Sequence, residues 1–317
     1  MGRKSKADLP ETMELLERVA KLYYVSGLNQ QEIAEQLNIG RSSVARFLKD
    51  ARNAGIVTIY VGTQNSEDRS YLMEKSLVHT FSMKDAVVVN GSAYGKFGLI
   101  GAQYLNTVMP HSGYIGVGGG NTIYQIGQFL DVCEKRENLT IVQVNGQSLK
   151  VPEATVVHRW ASRLGSMARY LPVPILLDDP DTRLRLMDDP AIHATFSCMN
   201  KLSMIFVGIG ATSPICTTTP TDVGAVGLEE ALPQNCVGDI VLHFFDRKGE
   251  FCYPALSERV MSISTEQFAE IPTRVGVAYG KEKIESIYAA LTGKLINVLI
   301  TDEATAGALL ELHSFRG

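Results

Sequence analysis

LLERVAKLYYVSGLNQQEIAEQLNIGRSSVARFLKDARNAGIVTIYV, residues 15–61, reads as three helices followed by a strand. Leu15, Leu16, Val19, Leu22 and Tyr23 recur at helical spacing, which predicts a first helix over Glu11–Val25, stopped by Gly27. Asn29, with Glu32 three residues on, is the Asx form of a capping box, so a second helix begins at Gln30 and carries Ile33, Ala34 and Leu37 inward. Asn38-Ile39-Gly40 makes a tight turn. A third helix, Arg41–Asn53, turns Val44, Phe47, Leu48 and Ala51 inward and leaves Ser42, Ser43, Arg46, Lys49 and Asp50 outward. Ala54-Gly55 ends that helix, and Ile56–Val61 has the β-branched content of a strand, the expected wing.

A capped helix, a glycine turn, a polar-faced helix and a strand, in that order, describe a winged helix-turn-helix that reads DNA. Small hydroxyl side chains at the start of the third helix permit close approach to the major groove, and Arg46 one turn later can reach a guanine or a phosphate. The plainer alternative is a three-helix bundle whose Ser and Arg residues are only solvated.

Working outward, 317 residues suit two or three folded units. We expect a DNA-binding domain over 1–61 and a second domain over 62–317. The net charge of −4 is unevenly shared, since residues 1–55 carry two more Lys/Arg than Asp/Glu. A basic head on an acidic body has the sign expected of DNA binding at one end. No run of eighteen apolar residues occurs, and the first residues, MGRKSKADLPET, lack the apolar segment of a secretory signal, so a cytoplasmic location and no membrane partner are expected. The five cysteines, Cys133, Cys198, Cys216, Cys236 and Cys252, are odd in number and scattered, which reads as buried or incidental thiols, with a redox role the alternative, and as neither a metal nor a cofactor site.

Beyond a polar connector at Gly62–Asn65, Ser66–Phe81 is an amphipathic helix, read as the first of the second domain because a strand-like run follows it, with an interdomain linker helix the alternative. Short apolar runs then follow: DAVVVN, GYIGVG, LTIVQVN, MIFVGIG, GDIVLHFF, TRVGVAY and LINVLITD. They alternate with helical stretches at 95–109, 122–133, 154–164, 281–291 and 303–312. Strands apolar on both faces, separated by helices, specify an α/β fold with a doubly wound, mostly parallel sheet.

Ligands of such sheets collect at the carboxyl ends of the strands. There Gly116-Val117 runs into Gly118-Gly119-Gly120-Asn121-Thr122 and a helix start, where backbone N–H groups and the helix dipole could cradle a phosphate or carboxylate, with Asn121 and Thr122 adding side-chain donors. A tight strand-to-helix turn is the structural alternative. Asn145-Gly146-Gln147, Gly208-Ile209-Gly210 and Thr301-Asp302-Glu303 end other strands in the same style, which suits a small polyhydroxylated ligand. Asp246 reads equally as an acceptor for sugar hydroxyls and as the start of a hairpin turn at Lys248-Gly249. Lys283 could face a phosphate or simply solvent. The six histidines share no motif, and Asp178-Asp179 and Asp188-Asp189 precede prolines as helix caps do, so no catalytic set is evident.

The helix-turn-helix, GVGGGNT at 116–122, VGIG at 207–210, GDIxxxFFDxxG at 238–249 and VGVAYGKEKIESIYAALTGKLINVLITDEATAGALL at 275–310 together resemble the SorC/DeoR-type sugar-binding transcriptional regulators of bacteria. The resemblance runs from about Leu15 to Leu310. It implies a cytoplasmic repressor or activator of a carbohydrate operon, a homotetramer on palindromic operator DNA, with a sugar-isomerase-like domain kept as a sensor of a sugar, polyol or sugar phosphate. An active isomerase or deaminase with an appended DNA-binding head is the alternative. Carried over by position, the phosphate loop falls on Gly118, Gly119, Gly120, Asn121 and Thr122, with Asn145, Gly146, Gln147 and Gly210 lining the site, the hydroxyl-binding aspartate at Asp246 and the phosphate-contacting lysine at Lys283. The DNA-reading face falls on Arg41, Ser42, Ser43 and Arg46, with Gln30 and Lys49 at phosphates. Many members carry Ser-Trp-Gly-Arg-Thr where this chain has GGGNT, which argues against a strongly charged effector. The lysine by which some members form a Schiff base with the ligand aligns near Arg163, so reversible binding is expected.

Overall fold

The structure, a computed structural model, describes residues 10–53, 56–57, 68–91, 94–147, 153–212 and 235–316. The chain divides into two compact units, Met1–Gln64 and Asn65–Gly317.

In the first unit, α1 (Pro10–Ala20) continues into one wider π-helical turn at Lys21–Val25, where the sequence suggested a single regular helix. The helix α2 (Gln30–Leu37) starts from the expected capping box: Asn29 Oδ1 accepts from Glu32 N at 3.0 Å, and Glu32 Oε2 accepts from Asn29 N at 2.7 Å. Asn38 closes α2 in the left-handed conformation at φ 53°, which Asn tolerates because its short side chain bonds locally. Then α3 (Arg41–Asn53) packs Val44 and Leu48 on Val19, Ile33 and Ala34. Ile56 and Val57 pack against Leu16, Ala20 and Ala51. The wing strand expected over Ile56–Val61 otherwise lies outside the described residues.

The second unit is built on seven parallel strands. In chain order they are β1 (Asp85–Val89), β2 (Ser112–Val117), β3 (Asn138–Gln143), β4 (Met167–Arg169), β5 (Leu202–Gly208), β9 (Thr273–Val277) and β10 (Val298–Asp302). They lie in the order β1-β10-β9-β5-β2-β3-β4, and every pairing among them is parallel. Successive residues of a strand point to opposite faces. Thus Val87 and Val89 enter one core while Ala86 and Val88 enter the other, which is why the strands read as unbroken apolar runs. One face is covered by α5 (Tyr94–Val108), α6 (Asn121–Gly127) and α7 (Glu153–Leu164), with Trp160 fully buried against Phe206. The other is covered by α4 (Tyr71–Phe81), α9 (Pro190–Met199), α12 (Ile284–Thr292) and α13 (Glu303–Arg316).

Three stretches depart from the sequence reading. GDIVLHFF is two strands, not one: β7 (Cys236–Ile240) and β8 (His243–Asp246) form an antiparallel hairpin, joined with β6 (Gly210–Ala211) in a small separate sheet. The turn falls on Val241 and Leu242, both at positive φ (47° and 69°), without the Gly or Asn that announces such turns. The helical stretch at 122–133 is α6 followed by a 3₁₀ turn at Leu130–Val132. Cys236 and Cys252 are joined as a disulfide, which corrects the reading of all the cysteines as thiols; β8 folds back beside the segment after it and brings the pair together. The Asp-Asp-Pro stretches do cap helices, Asp179 on α8 (Pro180–Met187) and Asp189 on α9. Two short helices, α10 (Pro254–Ser257) and α11 (Thr265–Glu270), lead into β9.

Candidate functional site

On the first unit, Arg41, Ser42, Arg46 and Lys49 are exposed along α3, and Ser43 is half-buried. The Arg46 guanidinium stacks on Phe47 with 5.3 Å to the ring centroid, while Arg52 turns back to the Leu48 carbonyl. Gln30 is half-buried in the first turn of α2. The face therefore offers cations and hydroxyls beside a helix start, whose free N–H groups carry positive partial charge.

On the second unit, β2 and β5 are neighbours that the chain leaves in opposite directions, β2 toward β3 and β4, and β5 toward β9 and β10. A crevice opens at the carboxyl ends of two such strands. The loop after β2 enters it. Gly118 N donates to the Phe206 carbonyl at 2.9 Å, tying the loop to β5. Gly119 N donates to Asn145 Oδ1 at 3.3 Å, tying it to the end of β3. Gly120, at φ 109° with open space around it, turns the chain into α6; the backbone conformation, not crowding, demands glycine there. Thr122 Oγ1 donates to the Val277 carbonyl of β9 at 3.0 Å, so its hydroxyl faces the cleft as an acceptor, not as the donor expected of it. Asn121 is exposed at the first position of α6. Across the crevice, a Cβ added to Gly208 would lie 3.7 Å from Thr122 Oγ1 and 3.8 Å from the Gly119 carbonyl.

The other expected residues divide. Asn145 is buried at the site, and its carbonyl is held by the buried Gln143 amide at 2.7 Å. Gly146 is a packing glycine: a Cβ would meet the Val173 and Pro174 carbonyl oxygens at 2.6 Å, and its N–H already donates to Met261. Gln147 accepts from Ala154 N at 3.2 Å, capping the start of α7. Gly210 lies against the Asp239 carboxylate, which a Cβ would overlap. Lys283 is half-buried in the 3₁₀ turn at Lys281–Lys283 after β9, just before α12.

Asp246 is not brought to this group. Its Oδ1 accepts from Lys248 N at 2.8 Å and Glu250 N at 3.0 Å, the bonds of a turn. That turn packs at Gly249 on Gly293, past the end of α12 opposite to Lys283. From the turn at Val241-Leu242, which lies beside the Gly118 loop, the four residues of β8 carry the chain away to Asp246, roughly 10 Å at strand rise. Arg163 is also remote. It ends α7, paired with Asp131, and its carbonyl accepts from Lys135, which precedes β3 and so marks the amino edge of the sheet. The expectation of reversible binding therefore draws no support from Arg163.

Three participants escaped the sequence reading. Asp239 abuts Gly210 and accepts from Leu242 N at 3.2 Å through Oδ2. Val241 Cγ1 stands 3.3 Å from where a Cβ on Gly118 would lie. Gln143, fully buried, bonds Asn145 and both the N–H and the carbonyl of Leu171. A polar residue inside an apolar run, as at Asp239 and Gln143, was the available signal.

Among the described residues no helix is long and apolar enough to cross a membrane. The family model described as "Putative sugar-binding domain" matches residues 66–311. The deoxyribonucleoside regulator of Bacillus subtilis is 31% identical over 312 residues, covering 95% of this chain and 98% of the relative. The transcriptional regulator LsrR of an Enterobacter species is 27% identical over 312 residues, covering 94% of this chain and 93% of the relative. The crystal structure of the full-length sorbitol operon regulator SorC from Klebsiella pneumoniae matches with a TM-score of 0.70 at 27% identity, covering 96% of this chain and 100% of that one.

Proposed function

The chain belongs to the SorC/DeoR-type family of sugar-binding transcriptional regulators, and on that premise we propose how it works: it regulates a carbohydrate-utilisation operon, and an effector bound in the second unit sets its affinity for operator DNA. One observation carries the reading. A single chain holds a capped helix-turn-helix with Arg41, Arg46 and Lys49 exposed on α3 and a glycine loop at the switch point of a parallel sheet. The relatives are named as regulators, one of them as a transcriptional regulator, so an isomerase or deaminase activity is not favoured.

The effector is a sugar, polyol or sugar phosphate held by Gly118–Thr122, Asn145, Gly208 and Gly210, with Lys283 at its anionic end. Backbone N–H groups at the start of α6 suit a phosphate or hydroxyl oxygen, and the Thr122 hydroxyl and Asp239 carboxylate suit hydroxyl donors. Asp246 is left out of this set because its carboxylate is engaged in its own turn. The second units pair in the cytoplasm into a homotetramer, so that recognition helices meet successive major grooves of a palindromic operator. Effector changes DNA affinity by as much as it prefers one quaternary arrangement over the other.

A thermal-shift screen of sugars, polyols and their phosphates tests the reading. A true effector raises the melting temperature in proportion to the logarithm of its concentration above Kd. No shift from any member of the panel would count against a sugar-sensing cleft.

A further inference from the structure

The hairpin that touches the glycine loop is closed by a covalent bond. Cys236 opens β7 and Cys252 follows β8, 16 residues later, with Cα atoms 6.4 Å apart. The tip lies inside this closed loop: Val241 and Leu242 sit at φ 47° and 69°. Positive φ is costly for any side chain and most of all for a β-branched one, so it persists only where the surroundings over-determine it. Asp239 Oδ2 accepts from Leu242 N at 3.2 Å, and Val241 Cγ1 stands 3.3 Å from where a Cβ on Gly118 would lie, so it occupies the side of the loop that glycine leaves open. The disulfide closes the open end of the hairpin, where Cys236 pairs with Asp246, and the β7–β8 ladder links that end to the tip beside the loop.

We propose that Cys236–Cys252 is a reducible switch that holds the hairpin tip against the Gly118–Thr122 loop, so that its redox state sets how rigid that loop is. The consequence for effector binding rests on the function proposed above; the change in rigidity does not. Cys252 is half-buried while Cys236 is buried, so a reductant reaches Cys252 Sγ first. The thiolate of a dithiol attacks that sulfur, the S–S bond breaks, and Cys236 leaves as a thiolate that takes up a proton. The second thiol of the reductant then displaces Cys252, which is protonated in turn. Two electrons and two protons pass to the cysteines, and the reductant departs as its own disulfide. Oxidised glutathione reverses the exchange, leaving as two thiols. In a reducing cytoplasm a protein disulfide is more often a redox sensor than a permanent staple. Once opened, the tip can relax Val241 to negative φ and withdraw it from Gly118.

Hydrogen–deuterium exchange on the full chain, equilibrated with oxidised glutathione or with dithiothreitol, reads the switch without any effector. Differential alkylation reports the state of Cys236 and Cys252 in the same samples. Reduction is expected to raise exchange several-fold in peptides spanning 236–246 and 116–124, with α7 peptides unchanged. The Cys236→Ser/Cys252→Ser double variant should behave like the reduced protein under both conditions. Two results would overturn the proposal: both cysteines alkylated after treatment with oxidised glutathione, or reduction that leaves exchange at 116–124 unchanged.

Discussion

Gly119 donates its backbone N–H to Asn145 Oδ1 at 3.3 Å, so the loop leaving β2 is held by the loop leaving β3. Asn145 also donates to the Gly146 carbonyl at 3.1 Å and is itself buried. Replacing it with Ala leaves buried groups without these partners, at a cost of about 1–3 kcal/mol. Urea denaturation of Asn145→Ala should show that loss, with a smaller effector-induced thermal shift. Asn145→Asp keeps the acceptor and should retain more of the shift.

Asp246 and Lys283 make opposite predictions. Asp246→Ala loses two hydrogen bonds to Lys248 N and Glu250 N, which should lower stability by about 1–2 kcal/mol while leaving effector stabilisation intact. Lys283→Ala should leave the fold within about 0.5 kcal/mol and weaken phosphorylated ligands more than neutral ones. Denaturation curves and thermal shifts on the two variants, side by side, decide which residue faces the effector.

His243 predicts a pH dependence. Burial pushes its pKa below the usual imidazole value, and its ring nitrogens are held by Ser257, Ser262 and the Ile263 carbonyl. A depressed folded-state pKa means that the unfolded chain binds the proton more readily. Stability contributed by neutral His243 is therefore fully present above the unfolded value of about 6.5 and is lost as pH falls toward the folded-state pKa. Chemical denaturation from pH 8 down to about 5 should show this decline. A His243→Gln variant, which cannot titrate, should show a shallower one.

The recognition face is tested by salt. Lys49→Ala should weaken DNA binding almost equally across sequences and lower the slope of log K against log salt by about one. Arg46→Ala should cost about 1–3 kcal/mol on the preferred sequence and relax the preference at one position. Fluorescence anisotropy at several salt concentrations separates the two roles.

The parallel sheet was legible because burial on both faces leaves unbroken runs such as DAVVV at 85–89. The same signal hid the β7–β8 hairpin: GDIVLHFF contains no Gly or Asn at its turn, and Val241-Leu242 adopts positive φ under contacts with Asp239 and the Gly118 loop, which no local pattern encodes. Asp246 reads from sequence equally as a sugar-hydroxyl acceptor and as a turn former, and the hairpin makes it the second, since its Oδ1 accepts from Lys248 N and Glu250 N, while the β7–β8 turn brings Val241 to the Gly118 loop. The disulfide was hidden for a related reason, since Cys236 and Cys252 meet only after β8 folds back. Local chemistry was better announced. The Asn29–Glu32 box and the Asp179 and Asp189 caps use short-range spacing alone.

The central claim is that a ligand in the Gly118–Thr122 cleft governs DNA binding by α3. Its most direct test is the Kd of the full chain for a duplex selected by the protein from a random pool, measured with and without the sugar, polyol or sugar phosphate that raises its melting temperature most. The account predicts enrichment of a palindromic sequence and a change in Kd of about fivefold or more on adding the ligand. A stabilising ligand that leaves Kd for the selected duplex unchanged would contradict it.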